Sequence, residues 1–239
     1  MTMQLKHRSY QKELLDADDL PFEDIRRNMH ELNIINSFLG GHSITISAIK
    51  ALIRSHKKSE YIICEIGCGG GDNLLAIKKY FRRSNVKGHF IGIDINGHCI
   101  SYARSCFGED GEFIQSDYKD VVFKQQPDII FNSLFCHHFR EEAITGILQW
   151  MQQHSALGFF INDLHRNTLA YYSIKLITGI FSKSYLVKHD APLSVKRGFK
   201  GKEWKSLLKL ASIYSASVSW KWAFRWLVIV KHEQPVDSL

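Results

Sequence analysis

The sequence predicts an α/β protein with a mostly parallel sheet and helices on both faces, and two observations lead there. Short apolar runs alternate with amphipathic segments, the order that builds successive strand–helix units. The first such run, Tyr61-Ile62-Ile63-Cys64-Glu65-Ile66, empties directly into Gly67-Cys68-Gly69-Gly70-Gly71, after which Asp72 to Tyr80 continues with helical spacing. A strand that hands over to a helix in so few residues needs left-handed backbone angles and main-chain N–H groups that a ligand can approach closely.

The elements follow in order. Phe22 to Leu39 carries Ile25, Met29, Leu32, Ile35 and Phe38 on one helical face and is stopped by Gly40-Gly41; His42 to Ile53 is a second helix leading into the first strand. Gly88 to Asp94 is the second strand, with Asn96 or Ser101 available to cap the helix after it. Glu112 to Asp117 and Pro127 to Phe135 are the third and fourth strands, Glu141 to His154 a helix with Ile144, Ile147, Leu148 and Met151 inward, and Ala156 to Asp163 the fifth strand. Residues 164 to 189 are an apolar helical segment containing Leu169, Tyr171, Tyr172, Ile174, Leu176, Ile177 and Ile180. Gly201 to Leu210 is the last helix, followed by strands Ser212 to Val218 and Ala223 to Lys231. The alternation Trp220, Trp222, Phe224, Trp226 is expected to put four aromatics on one face.

The glycine loop discriminates between ligands. A dinucleotide fingerprint requires glycine at its first, third and sixth positions, but counting from Gly67 the sixth is Asp72, whose carboxylate would face a pyrophosphate. Asp94 closes the second strand about 20 residues after the loop, where a carboxylate can accept both hydroxyls of a ribose. An aspartate there, or at Asp117, has a simpler reading as the N-cap of the next helix.

The pattern Glu65, Gly67, Gly69, Gly71 resembles motif I of the class I S-adenosylmethionine (SAM) dependent methyltransferases. The third and fourth strands resemble that family's adenine-reading strand and its motif IV. The resemblance implies a Rossmann-like, seven-stranded sheet with an antiparallel last strand, SAM as cofactor and S-adenosylhomocysteine as product. It assigns Glu65, Gly67 and Gly69 to the methionine end, Asp94 to the ribose, Asp117 and Tyr118 to the adenine, and Asn132, Ser133 and Leu134 to the wall near the methyl group, with Cys68, Gly71 and Ile95 as further cofactor contacts. The stretches 27–42, 135–139, 162–166 and 190–194 look like a bacterial subgroup of small-molecule methyltransferases, described by similarity to ubiquinone or menaquinone biosynthetic enzymes or found with polyketide pathways. It further implies an N-terminal helical lid over residues 1–55, with Asn33, Asn36 and His42 as lid contacts. A SAM-binding core would occupy 56–239, with a helical substrate cap at about 164–199.

The expected reaction is O-methylation of a hydrophobic aromatic, polyketide or quinone-like small molecule. Alternatives are N- or C-methylation of another small molecule, or a SAM-binding or nucleic-acid-binding module without turnover. A hydroxyl acceptor benefits from a base, most often histidine. His138 and His165, after the fourth and fifth strands, are the leading candidates and His137 the third; Arg166, Asp190 and Arg197 could orient a polar acceptor group.

Composition narrows the partners. At 239 residues and 45% hydrophobic, the chain can bury a full core. The net charge of +7 is spread over separate clusters, which reads as solvated surface, so nucleic acid is not an expected partner. Residues 1–8 lack the apolar core of a secretory signal, and no run of about 18 apolar residues offers a span, so a cytoplasmic location is expected. Lys175, Lys183 and Lys188 beside the apolar segment give peripheral membrane contact as a further reading. The five cysteines, 64, 68, 99, 106 and 136, have no zinc-like spacing; reduced thiols and no metal site are expected. Nothing in the sequence sets the oligomeric state.

Overall fold

In the computed structural model, which describes residues 5–17, 20–54 and 58–232, seven strands form one sheet. They are β1 (Glu60–Ile66), β2 (Lys87–Asp94), β3 (Gly111–Gln115), β4 (Ile129–Ser133), β5 (Gly158–Leu164), β6 (Ala216–Lys221) and β7 (Arg225–Lys231). Their order is β3-β2-β1-β4-β5-β7-β6, and β7 runs antiparallel between β5 and β6. Six strands therefore share one direction and the last opposes them, as the resemblance implied. The sheet reverses its order at β1, so the loops after β1 and β4 open on a common crevice, the place where such sheets bind ligands.

The helices are α1 (Phe22–Phe38), α2 (Gly41–Ile53), α3 (Asp72–Arg83), α4 (Gly97–Phe107), α5 (Glu141–His154), α6 (Thr168–Phe181), α7 (Tyr185–Arg197) and α8 (Gly201–Leu210). Every residue of β1 after Glu60 is buried, which explains its unbroken apolar run: a central parallel strand is covered on both faces. One face packs against Ile44, Ala48, Ile49 and Leu52 of α2, Leu74, Ile77 and Phe81 of α3, and Ile100, Ala103 and Phe107 of α4. The other packs against Ile144, Ile147, Leu148 and Met151 of α5 and Trp204, Leu207 and Leu208 of α8.

Side chains cap several helix starts. Asn96 caps α4, its side chain accepting from the N–H groups of His98 and Cys99. Asn167 caps α6 and Ser184 caps α7 in the same way. Between β5 and α8 the apolar segment forms two helices, and the outer side of α6 leaves Leu169, Tyr172, Leu176, Ile180 and Phe181 exposed. Leu169, Tyr172, Leu176 and Ile180, spaced by three and four residues, make a continuous stripe, with Phe181 next to its end. Among the described residues no helix is long and apolar enough to cross a membrane.

Three expectations differ from the structure. β3 ends at Gln115, and Asp117 instead caps a one-turn helix at Tyr118–Asp120, accepting from Lys119 N–H. β6 starts at Ala216, four residues later than the pattern suggested. Trp220, Trp222, Phe224 and Trp226 do not share one strand face: the chain turns between them, Trp220 pairs across the hairpin with Trp226, and Phe224 has a φ of 58°. A period of two runs unchanged through a tight turn, so alternation alone did not reveal the reversal.

Candidate active site

The loop after β1 is built by left-handed glycines: φ is 65° at Gly67, 50° at Gly69 and 73° at Gly71, which precedes α3 as its N-cap. At Gly67 a Cβ would sit 2.1 Å from the Phe135 ring, so the loop after β4 closes directly over the loop after β1. At Gly69 a Cβ would meet only the Met29 side chain, 3.5 Å away. Gly69 N–H donates to Asp94 Oδ2 and Asn96 N–H to Asp94 Oδ1, both at 2.9 Å, which ties the glycine loop to the end of β2. Burial pushes the Asp94 carboxyl above its ordinary value, against the pull of these donors and of His138.

Glu65 is fully buried. Asn73 Nδ2 donates to its Oε1 at 3.0 Å, while Oε2 is buried without a partner. Burial, then the nearby Asp72 carboxylate, raises its pKa well above the usual carboxylate range. Asp72 itself is held by His42 Nε2 at 2.7 Å and Asn36 Nδ2 at 3.3 Å, and Arg225 Nη2 donates to Asn36 Oδ1 at 2.6 Å. These bonds fasten the end of α1 and the start of α2 to the rim of the loop. Asn33 takes no part in them.

The remaining residues named from the sequence fall into two groups. Ile95 stands 74% exposed beside Asp94, and the Asp117 carboxylate is half-exposed, so both are free to meet a ligand. The side chains of Cys68, Tyr118 and Asn132 are committed to the interior. Cys68 is buried against the β2 side of the sheet, and burial holds its thiol well above the usual range. Tyr118 packs edge-on against Trp150, with its pKa pushed up to about 12 by burial and Asp117. Asn132 accepts from Cys136 Sγ. At these positions the backbone is what remains for a ligand. Ser133 is buried, and Leu134, at φ 54°, donates its N–H to Asn162 O.

The histidines sort sharply. His137 and His138 lie on a single turn, Cys136–His138, with ring centroids 4.4 Å apart, and not on a strand that would point them apart. His137 is buried, its Nδ1 on Asp163 Oδ1 at 2.8 Å; burial alone would lower its pKa, but Asp163 and Glu13 raise it to about 9. His138, a quarter exposed, has Nδ1 on Asp16 Oδ1 at 3.2 Å. His165 is elsewhere: its ring meets Trp226 edge-on at 5.3 Å and lines a cleft of about 390 Å³ with Leu5, Lys6 and Lys200. Burial, Arg166 and Lys200 lower its pKa.

Sequence reasoning missed the segment Arg8–Asp16, which lies across the histidine turn. Glu13 faces both imidazoles, and Arg8 Nη2 donates to His137 O and Phe139 O. The three polar residues suggested as acceptor contacts bind this segment or its surroundings. Asp190 accepts from the N–H groups of Leu14 and Leu15, Arg197 donates to His137 O and Gln11 O, and Arg166 forks onto Glu203 while donating to Leu5 O and Lys6 O. Only the bare sequence of acids and bases in Arg8, Glu13 and Asp16 hinted at it, since contacts across more than 120 residues leave no local pattern.

The orphaned Glu65 Oε2, the open face of Gly69 and the exposed Ile95 beside Asp94 fit a ligand with a cationic amino end, a ribose and a flat ring. Residues 63–158 match the family model described as a methyltransferase domain. No curated protein sequence matches the chain. Among solved structures, the plantazolicin methyltransferase BpumL, bound to a pentazolic desmethylPZN analog and S-adenosylhomocysteine, is similar at 16% identity and a TM-score of 0.63, covering 89% of this chain and 97% of that one. The magnesium protoporphyrin IX methyltransferase of Synechocystis PCC 6803 with bound SAM is similar at 11% identity and a TM-score of 0.56, covering 91% and 100%. A putative O-methyltransferase from Nostoc punctiforme PCC 73102 gives 11% and 0.57, covering 84% and 59%. At these identities the structures speak for the fold. The chain thus shares the fold of these methyltransferases, and its residues 63–158 resemble a methyltransferase domain.

Proposed function

We propose that this protein methylates a hydroxyl group on a hydrophobic aromatic, polyketide or quinone-like small molecule. The observation that carries the reading is the histidine turn Cys136–His138, which directly follows Phe135, the residue packed onto Gly67 of the glycine loop. The exposed apolar stripe of α6 supports a hydrophobic acceptor. SAM supplies a methyl group on a sulfonium, already a good leaving group, so the protein's part is alignment, exclusion of water and handling of the acceptor proton. Glu65 and the Gly67–Gly71 backbone would hold the methionine end, Asp94 the ribose, Ile95 and Asp117 the adenine. His138, oriented through Nδ1 by Asp16, would take the acceptor proton at Nε2.

His138→Ala should lower the methylation rate of a phenolic acceptor about 10²- to 10⁴-fold, the usual worth of a positioned base. His165→Ala should leave the rate within about threefold, because its ring is spent on Trp226. Equal activity of His138→Ala and wild type would sink the proton-transfer role.

Glu65 gives a pH dependence. Its raised pKa means that the buried carboxyl holds a proton above the ordinary carboxylate range, whereas a cationic amino group beside it favours the ionised form. Binding should therefore release a proton, and affinity for S-adenosylhomocysteine should rise with pH until Glu65 is ionised in the free protein. Calorimetry in buffers of different ionisation enthalpy measures this release; Glu65→Gln should abolish it. The same linkage predicts that Glu65→Gln, by removing a carboxyl with a raised folded-state pKa, melts higher than wild type at neutral pH. Wild type would lose that difference as the pH falls toward the unfolded carboxyl pKa.

A further inference from the structure

Both imidazoles of the turn after β4 are arranged in the same unusual way. Each has its Nδ1 on a carboxylate: His137 on Asp163 Oδ1 at 2.8 Å, and His138 on Asp16 Oδ1 at 3.2 Å. Those partners hold a proton on Nδ1, and an ion at Nε2 would displace the second proton that Asp163 and Glu13 favour on His137. Both Nε2 atoms then face one further carboxylate, Glu13, at 3.6 Å from Oε1 and 3.8 Å from Oε2. These separations are too long for a good hydrogen bond. They are close to the roughly 3.3–3.5 Å expected between two ligand atoms that each lie about 2.0–2.1 Å from one tetrahedral ion.

We infer that His137 Nε2, His138 Nε2 and Glu13 form a binding site for a divalent cation of zinc type, which clasps the N-terminal segment 5–17 onto the turn after β4. The three donor atoms lie within 4.8 Å of one another. Two imidazoles and one carboxylate are a zinc donor set, and carboxylates behind the ring Nδ1 atoms are the usual outer support of such ligands. Ser194 Oγ donates to Glu13 Oε1 at 2.6 Å and Arg197 Nη1 stands 3.7 Å from it, which holds the carboxylate in place against the two rings. The carboxylates of Glu13, Asp16, Asp163 and Asp190 border the cluster against two guanidinium groups, Arg8 and Arg197. The cysteine spacing predicted no metal site, and this cluster uses no cysteine.

The three ligands leave a fourth position for a water or an acceptor oxygen. An ion at His138 Nε2 occupies the lone pair assigned above to the acceptor proton, so the base role belongs to the ion-free protein; ion binding itself does not rest on that role.

The test uses metal-stripped protein carrying Cys106→Ser, since Cys106 is an exposed thiol that could bind zinc by itself. Titration with zinc chloride should give one site per chain, and cobalt chloride the visible absorption of a four-coordinate ion. Removing a ligand by His138→Ala or Glu13→Gln should weaken zinc binding at least about 100-fold, more than the loss of an outer partner. Zinc should also slow tryptic cleavage after Lys12 in the parent protein and leave the His138→Ala rate unchanged. His138 is partly exposed, so this variant keeps the test valid if Glu13→Gln folds poorly. Zinc binding absent from the parent, or equal in the parent and His138→Ala, overturns the inference; protons would then fill the gaps between the imidazoles and Glu13. Binding of S-adenosylhomocysteine in the presence of a chelator is measured alongside. If that fails, the methyltransferase reading fails, whatever zinc does.

Discussion

Asp94→Ala should reduce affinity for S-adenosylhomocysteine by about 30- to 1000-fold. A carboxylate accepting two ribose hydroxyls contributes on the order of 2–4 kcal/mol, and each 1.4 kcal/mol is tenfold. Asp94 also organises the pocket, because its two oxygens already receive the N–H groups of Gly69 and Asn96. The alanine variant therefore removes a ligand contact and loosens the glycine loop together. Asp94→Asn separates the two parts: its amide oxygen can keep one backbone donor, so the loop should hold better while ribose binding still falls. Calorimetric titration of both variants, beside a thermal melt of each, checks the expectation. An alanine variant that binds as wild type does would remove Asp94 from the site.

Arg166→Ala should destabilise the fold by about 3 kcal/mol, the cost of stripping one partner from a buried ion pair. For a chain of this length that lowers the melting temperature by roughly 10 °C. The Arg166 side chain is fully buried, and its guanidinium donates to both Glu203 oxygens, at 2.6 and 3.0 Å, as well as to Gly198 O. It thus joins the end of β5, the entry to α8 and the N-terminal segment, and no alanine can satisfy those carbonyls. Arg166→Lys should recover only part of the loss, since an ammonium cannot make the same fork. Under conditions where the variant stays folded, its affinity for S-adenosylhomocysteine should match wild type. A variant that melts normally but loses activity would make Arg166 an acceptor contact instead.

The two cases show where local sequence carries structural information. Asp94 sits at the end of an apolar strand, a fixed distance after a glycine loop, and both features are encoded within about 30 residues. The bounds of α5 and α8 are equally local, and of Asn96 and Ser101, the two candidate caps of α4, Asn96 is the one that caps it. Arg166, Asp190 and Arg197 were noticed as polar residues near the site, but their partners lie in residues 5–16, more than 150 positions away. No periodicity links such positions, so a charged residue that holds a segment looks the same in sequence as one that holds a substrate. The histidine pair illustrates the other limit. On a strand, neighbours point to opposite faces; the turn at Cys136–His138 brings both rings to Glu13. The hairpin at Trp222 to Phe224 escaped for a related reason, since alternation continued across it.

The central claim is that the glycine loop, Glu65 and Asp94 form a site for SAM and not for a dinucleotide. Calorimetric titration of the wild-type protein with S-adenosylhomocysteine, and separately with NAD, tests it most directly. One saturable site per chain is expected for S-adenosylhomocysteine, and no measurable heat with NAD. Saturable binding of NAD, with none of S-adenosylhomocysteine, would contradict it.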